Sequence, residues 1–358
     1  MTCVNQPPIP RPELLDADPR TATGRPVRWA VVATGRIAAT VTADLALLPD
    51  AVLQAVSSRE AGRAAAFAER FGFATSYSDT AERLGYEALL ADPDVEAVYV
   101  ATPHAQHVEV VRAALRAGKH VLCEKPLTIN AREAQQVVDL AREQGLFLME
   151  GVWTRFLPAA QRAFEIAASG EIGTVHWVSA EVGFPAPPDP TARIWAPAAG
   201  GGALLDLAVY PLLWAWGTLG LPDSLTAVGT LNADGVDAQN ALSLSYASGA
   251  QAQLTTSLLA RSPHTALVCG SRGWIRAEGP DAVYRPTRLE VQVDDAGTRT
   301  EEFDLIGSGY VHQLREVTRC VQQGLTESPV LPLAHSLASM RFLDEARAQL
   351  GVRYPNDA

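Results

Sequence analysis

Cysteine is scarce in this chain: four residues in 358, Cys3, Cys123, Cys269 and Cys320, with no C-x-x-C pair. Such scattered thiols exclude a disulfide framework, and reduced cysteines are expected. Long apolar runs are missing as well. Stretches such as Ala203–Leu205 and Leu219–Pro222 fall far short of the ~20 residues that cross a bilayer, and the N-terminus lacks a basic start followed by an apolar stretch. Positive charge is also in deficit, with Lys plus Arg at 29 against Asp plus Glu at 40 and a formal charge of −11. A chain of that balance is not built to hold phosphate backbones by counterion release, so nucleic acid is excluded as a partner. A soluble, cytoplasmic protein without a membrane partner is expected.

What is present is apolar patterning. Hydrophobic residues make up 47% of the chain and charged ones 19%, enough for two domain cores. Residues 1–26 hold six prolines and no apolar period, and read as a flexible arm. From Val27 short β-branched runs alternate with stretches of helical spacing, the pattern of βαβ units around a parallel sheet. Strands are expected at Val27–Ala33, Val52–Val56, Val95–Ala101, His120–Cys123 and Leu146–Met149. The helix after Asn130 opens with a capping box through Glu133. After Glu150 the pattern changes to alternating segments, interrupted by helices at Pro158–Ser169 and Ala203–Leu219 and closed by two more near Tyr310–Gly324 and His335–Leu350. The expected fold is therefore α/β followed by α+β: a doubly wound parallel sheet over 27–150, then an open, mostly antiparallel sheet with helices over 151–334, and a C-terminal helix and tail over 335–358.

Several residues in this frame can carry chemistry. The first strand runs into Ala33-Thr34-Gly35-Arg36-Ile37-Ala38, which keeps only the middle glycine of G-x-G-x-x-G. That glycine lets a pyrophosphate approach the backbone, and the following helix offers unpaired N–H groups, so Thr34, Gly35, Arg36 and Ile37 are candidate dinucleotide contacts. An NAD site carries an acidic residue about 20 residues on, for the ribose 2′-hydroxyl. Here the corresponding tract is Ser57-Ser58-Arg59, two hydroxyls and a guanidinium, which suits the 2′-phosphate of NADP. Two further strand ends fall where ligands of open α/β sheets bind: Thr102-Pro103-His104 and Glu124-Lys125-Pro126. The spacing of His104, His107, His120 and Cys123 imitates a metal site, but these residues fall on a helix start and inside a buried strand, so no metal is assigned. Farther on, Gly200-Gly201-Gly202 leads a helix on which Asp206 and Tyr210 are four apart, hence on one face. If that face meets the carboxyl edge of the parallel sheet, the Lys125 ammonium favours phenolate at Tyr210, giving a proton acid and base beside a hydride carrier.

With these residues in place the sequence resembles the Gfo/Idh/MocA oxidoreductases. The resemblance rests on Trp29–Ala38, Thr102-Pro103-His104, Gly118–Pro126 and Gly200–Pro211. Phe147–Phe156 and the tail from Glu327 to Pro355 resemble, more narrowly, the branch of dimeric dihydrodiol dehydrogenases and NADP-dependent D-xylose dehydrogenases. This resemblance implies a Rossmann domain, an open sheet domain that mediates a homodimer or a dimer of dimers, and reversible hydride transfer between NADP and a carbinol carbon of a sugar or polyol. Aldoses and trans-dihydrodiols are the first substrate classes, with keto-sugars, free or nucleotide-linked, and a non-catalytic NADP sensor as alternatives. Carried over by motif, Lys125, Asp206 and Tyr210 are catalytic, and Glu124, Lys125, Trp153 and Arg155 join the cofactor contacts. Trp153 and Arg193 join Asp206 and Tyr210 as substrate contacts. Three departures stand out: Ala33 and Ala38 replace glycines of the general fingerprint, and Ala208 stands where glycine is usual beside Tyr210. Short-chain dehydrogenase chemistry is excluded by spacing, since the residue four after Tyr210 is Trp214 rather than lysine.

Overall fold

The computed structural model describes residues 17–187, 189 and 192–358, which form two compact units. Among the described residues the first comprises 17–153 and 306–337, and the second those within 154–305 and 338–358.

In the first unit the chain runs β1 (Val27–Val32), α1 (Arg36–Leu45), β2 (Ala51–Ser58), α2 (Ala61–Phe71), β3 (Thr75–Ser78), α3 (Gly85–Leu90), β4 (Ala97–Val100), α4 (His107–Arg116), β5 (His120–Cys123), α5 (Ala131–Gln144) and β6 (Leu148–Glu150). The six strands pair in parallel in the order β3-β2-β1-β4-β5-β6. β4 is buried throughout and β1 almost so, because helices cover both faces and a side chain of either parity meets apolar neighbours. The strand order reverses between β1 and β4, and the crevice beyond their carboxyl ends is where such sheets take ligands. At the start of α5 Asn130 caps the helix by accepting from Glu133 N at 2.9 Å, the first half of the expected capping box, and Glu133 Oε2 accepts from Ile129 N, one residue before the cap, at 3.2 Å. Cys123 and Cys320 are both buried as small apolar residues.

The second unit holds α6 (Pro158–Ser169), β7 (Val175–Gly183), α7 (Ala203–Leu207), α8 (Val209–Leu219), β8 (Ser224–Leu231), β9 (Asp237–Ser245), β10 (Gln251–Ser257), β11 (Ala266–Gly270), β12 (Gly273–Glu278), β13 (Arg288–Val293) and β14 (Gly297–Glu302). Its eight-stranded sheet has the order β14-β13-β12-β11-β7-β10-β9-β8 and is antiparallel except between β7 and β10. α8 packs on β7, β10 and β11, and α6 on β12 and β13. Strands therefore alternate: in β9 Leu242 and Leu244 are buried while Ala241, Ser243 and Ser245 are exposed. Among the described residues no single helix is long and apolar enough to cross a membrane.

Three expectations are corrected. Residues 306–334, assigned by sequence to the second domain, belong with residues 335–337 to the first unit, where α9 (Val311–Gln322) packs on α1 and β1. Residues 338–358 are part of the second unit rather than a separate tail: on α10 (Leu333–Leu350), Gln349 bonds Ala227 N and Leu225 O of β8. Of the arm, residues 1–16 lie outside the described residues, but residues 17–25 are anchored. Arg315, at the centre of α9, donates to both oxygens of Asp50 at 2.7 and 2.8 Å, to Pro19 O at 2.7 Å and to Thr23 Oγ1 at 2.8 Å. Proline content cannot reveal this, because the partner that orders the segment lies almost 300 residues away.

Candidate active site

β1 ends in a turn in which Ala33 takes φ +89°, a left-handed conformation that glycine adopts freely and alanine does not. α1 then starts at Gly35 with no side-chain cap, and a β-carbon on Gly35 would meet nothing within 4 Å. Gly35 and Arg36 are exposed and Thr34 and Ile37 half-buried. An uncapped helix start facing open space offers its first amides to an anion, so the residues present fit a dinucleotide pyrophosphate. The neighbouring end of β2 is tied to this turn: Ala33 N donates to Ser57 O at 3.0 Å, and Thr34 Oγ1 donates to Ser58 Oγ at 3.1 Å. Ser57 is only 2% exposed, whereas Ser58 is half-buried and Arg59 exposed.

At the ends of β4 and β5 a buried histidine joins the two loops that carry candidate residues. His107 places one ring nitrogen 2.9 Å from Thr102 O and the other 2.9 Å from Pro126 O. His104, 5% exposed, lies edge-on to His107 at 5.7 Å and is placed inside the unit rather than at its rim. Thr102, Pro103 and Lys125 are half-buried at the strand ends. Glu124 is buried and accepts from the Tyr99 hydroxyl at 2.6 Å. It lies directly beneath Lys125, whose backbone N–H also faces its second carboxylate oxygen at 3.3 Å. Glu150, at the end of β6, was not found from sequence: it accepts from Leu127 N at 3.0 Å, and full burial raises its carboxyl to about 7 despite the favourable charge of Lys125. Its only signal in the sequence is a carboxylate closing an apolar run. Trp153, 3% exposed, stacks on Tyr310 with centroids 4.4 Å apart. Tyr310 sits in a glycine-rich turn that Asp44 of α1 holds through the amides of Ser308 and Tyr310 at 2.8 Å each.

In the second unit the expected single helix Ala203–Leu219 is broken at Ala208, and the segments before and after diverge by 42°. Pro211 is the cause: it has no N–H for the carbonyl of Leu207, four residues earlier. Asp206 and Tyr210 thus lie on either side of a bend instead of along one helix face, 8% and 9% exposed. Arg193 approaches Asp206 at 3.5 Å with half of its side chain in solvent. Gly202, at φ +111°, is required because any side chain there would strike the carboxylate of Asp237. Asp237 was also missed by sequence reading. It accepts from Leu204 N at 2.7 Å, fixing the start of α7, and burial raises its carboxyl to about 7. Arg155 is 1% exposed, its guanidinium lies over Phe164 at 5.0 Å and its carbonyl accepts from Gln161, so packing within the second unit holds it in place. Burial lowers its guanidinium to about 9.

Comparison with known proteins identifies the class. Residues 27–152 match the oxidoreductase family with an NAD-binding Rossmann fold, and residues 160–276 match the GFO/IDH/MocA C-terminal domain. The chain is 37% identical to trans-1,2-dihydrobenzene-1,2-diol dehydrogenase of Mus musculus over 344 residues, covering 92% of this chain and 99% of that protein. The Homo sapiens enzyme of the same name is 34% identical over 345 residues, with the same coverage of both chains. Among solved structures, the 3-ketoreductase KijD10 of Actinomadura kijaniata, in complex with NADP and TDP-benzene, matches with TM-score 0.79 and 29% identity, over 91% of this chain and 98% of that one. The aldose-aldose oxidoreductase of Caulobacter crescentus shares the fold, with TM-score 0.81 and 24% identity over 91% of this chain and 97% of that one. The chain belongs to the Gfo/Idh/MocA oxidoreductase family. It is an NAD(P)-dependent dehydrogenase acting on CH–OH groups.

Proposed function

We propose that the protein is an NADP-dependent dehydrogenase of trans-dihydrodiols or aldoses in which Tyr210 exchanges the proton of the reacting hydroxyl. Lys125 holds that oxygen and stabilises charge on it, and Asp206, paired with Arg193, orients the substrate. When bound, the nicotinamide cofactor supplies the hydride acceptor. The amides of Gly35 and Arg36 would hold its pyrophosphate, with Thr102 and Pro103 at the neighbouring strand end, and Ser58 and Arg59 would hold the 2′-phosphate.

The observation that carries this reading is the placement of Lys125 at the carboxyl end of β5, beside a buried carboxylate fixed by Tyr99, in a chain whose relatives of 34–37% identity are dihydrodiol dehydrogenases. Tyr210 is the residue whose chemistry a hydroxyl substrate needs, since a phenol both gives and takes a proton. Turnover of a panel of aldoses, benzene trans-dihydrodiol and keto-sugars with NADP(H) and NAD(H), followed at the nicotinamide absorbance, tests the assignment. Tyr210→Phe is expected to lose about 10²–10⁴-fold in kcat with NADPH affinity unchanged within a few-fold. Near-normal turnover removes Tyr210 from the mechanism.

The outer face of the eight-stranded sheet supports a homodimer. Trp177 is 40% and Val228 63% exposed there, beside the small polar residues of β9. Light scattering at the mass of a single chain would reject the dimer. A cytoplasmic location accords with the free thiols at Cys123, Cys269 and Cys320.

A further inference from the structure

Next to Tyr210, within the second unit, lies an array that the proposed chemistry does not use. The Tyr210 and Tyr284 rings are 5.1 Å apart, and the His264 ring is 5.7 Å from that of Tyr284. Tyr284 belongs to a turn bound from several directions. Val283 N donates to His264 O at 2.7 Å, Trp214 Nε1 donates to Val283 O at 2.7 Å, and Thr154 Oγ1 donates to Tyr284 O at 2.6 Å. The carboxylate of Asp281 gathers three side chains: His264 Nδ1 at 3.2 Å, Arg285 Nη2 at 2.5 Å and the Tyr284 hydroxyl. These donors hold the Asp281 carboxyl below its ordinary value against the opposing effect of burial. The second ring nitrogen of His264 faces Gly183 O at 2.9 Å, so the imidazole is bonded on both sides. His264 itself adopts φ +59°, a conformation that asparagine or glycine reaches at less cost. Two ring hydrogen bonds offset that strain.

We propose that His264 and Asp281 are positioning residues for Tyr210: together they lock the ring of Tyr284, and the locked ring fixes the phenol of Tyr210. The inference rests on the assignment of proton exchange to Tyr210. Its physical basis is that a paired aromatic ring can hold its neighbour only as firmly as it is held itself, and that misplacement of a reacting group by 1 Å costs about 10²-fold in rate.

His264→Asn tolerates the left-handed backbone while removing the ring, and Asp281→Asn removes the charge while keeping the shape. Each is expected to lower kcat about tenfold with KM within twofold, and to add no further loss in a Tyr210→Phe background, because a residue acting through another is non-additive with it. An unchanged kcat, or the same factor of loss in that background, overturns the proposal. Tyr284→Phe keeps the ring and loses the bond to Asp281. It is expected to give a severalfold fall in kcat at an unchanged melting temperature, and an unchanged kcat again overturns the proposal. An independent readout is NMR of the full chain with ¹³C-labelled tyrosine rings, the Tyr210 signal being identified by its absence in Tyr210→Phe. Asp281→Asn is expected to shift that signal, and an unmoved signal overturns the lock whatever the activity. Wild-type turnover by Tyr210→Phe instead sinks the functional assignment on which the inference rests.

Discussion

Replacing Arg59 by alanine tests the choice of cofactor. At the end of β2 the Ser57 hydroxyl is buried, Ser58 is engaged by Thr34, and Glu60 pairs with Arg63 at 3.3 Å. The exposed guanidinium of Arg59 is then the charged side chain in Ser57–Arg59 able to meet a dianionic 2′-phosphate, beside the half-buried Ser58 hydroxyl, which accepts from Thr34 and keeps its own O–H to donate. A hydrogen bond to a charged group contributes about 1.5–3 kcal/mol, roughly a 10–150-fold change in affinity. Exposure and salt screening argue for the lower end of that range. Arg59→Ala is therefore expected to weaken NADPH binding about tenfold while leaving NADH within twofold, measured by fluorescence titration of both reduced cofactors. In 0.5 M salt the wild-type preference for NADPH should shrink by the same mechanism. Arg36→Ala is the control: Arg36 opens α1, the helix start proposed to hold the pyrophosphate common to both cofactors, so its loss should weaken both together. If Arg59→Ala weakens NADPH less than threefold, or weakens NADH in parallel, then Arg59 does not read the 2′-phosphate.

Two further outcomes follow from the same unit. Ala33→Gly relieves a left-handed alanine; the relief of about 1–2 kcal/mol is partly offset by about 0.4–1 kcal/mol of extra unfolded-state entropy, so urea denaturation should show a gain of up to about 1.6 kcal/mol. A loss of stability would show that the turn does not strain alanine. Glu150→Gln keeps the acceptor for Leu127 N but removes a buried acid whose folded value is about 7, above its unfolded value near 4.5. Between those values the folded state binds the extra proton, so the ionisation of Glu150 withdraws stability as pH rises through about 7. The variant should therefore gain relative to wild type from pH 5 to pH 8, by on the order of 3 kcal/mol if the burial is as complete as it is here. A difference that stays flat with pH would mean that Glu150 is ionised in the folded protein throughout.

The parallel sheet was legible because its central strands are apolar on both faces, and a run such as Val98–Val100 has no other economical place than between two helical layers. β3 was not: Thr75-Ser76-Tyr77-Ser78 is an edge strand with two exposed and two half-buried side chains, and nothing in its composition separates it from a loop. The break at Ala208 was written in the sequence as Pro211, but the apolar pattern runs straight through it, so periodicity outweighed the missing donor. α9 was found and given to the wrong domain, since contiguity along the chain was the only guide, and its place beside α1 follows from Arg315 meeting Asp50.

The residues of the candidate site divide along the same line. Gly35, Arg59, Lys125 and Tyr210 stand at element ends, where a local motif names them. Asp237, Glu150, His264 and Asp281 act through partners 17 to 33 residues away: Asp281 for His264, Glu150 for Leu127, Asp237 for Leu204. A motif records only what lies within a few residues, whereas a buried carboxylate is tolerated only where the fold delivers donors to it. The usable sequence signal for such groups is accordingly negative: an acid inside an otherwise apolar segment, as at Met149-Glu150 or Val236-Asp237, implies a donor from elsewhere in the chain without naming it.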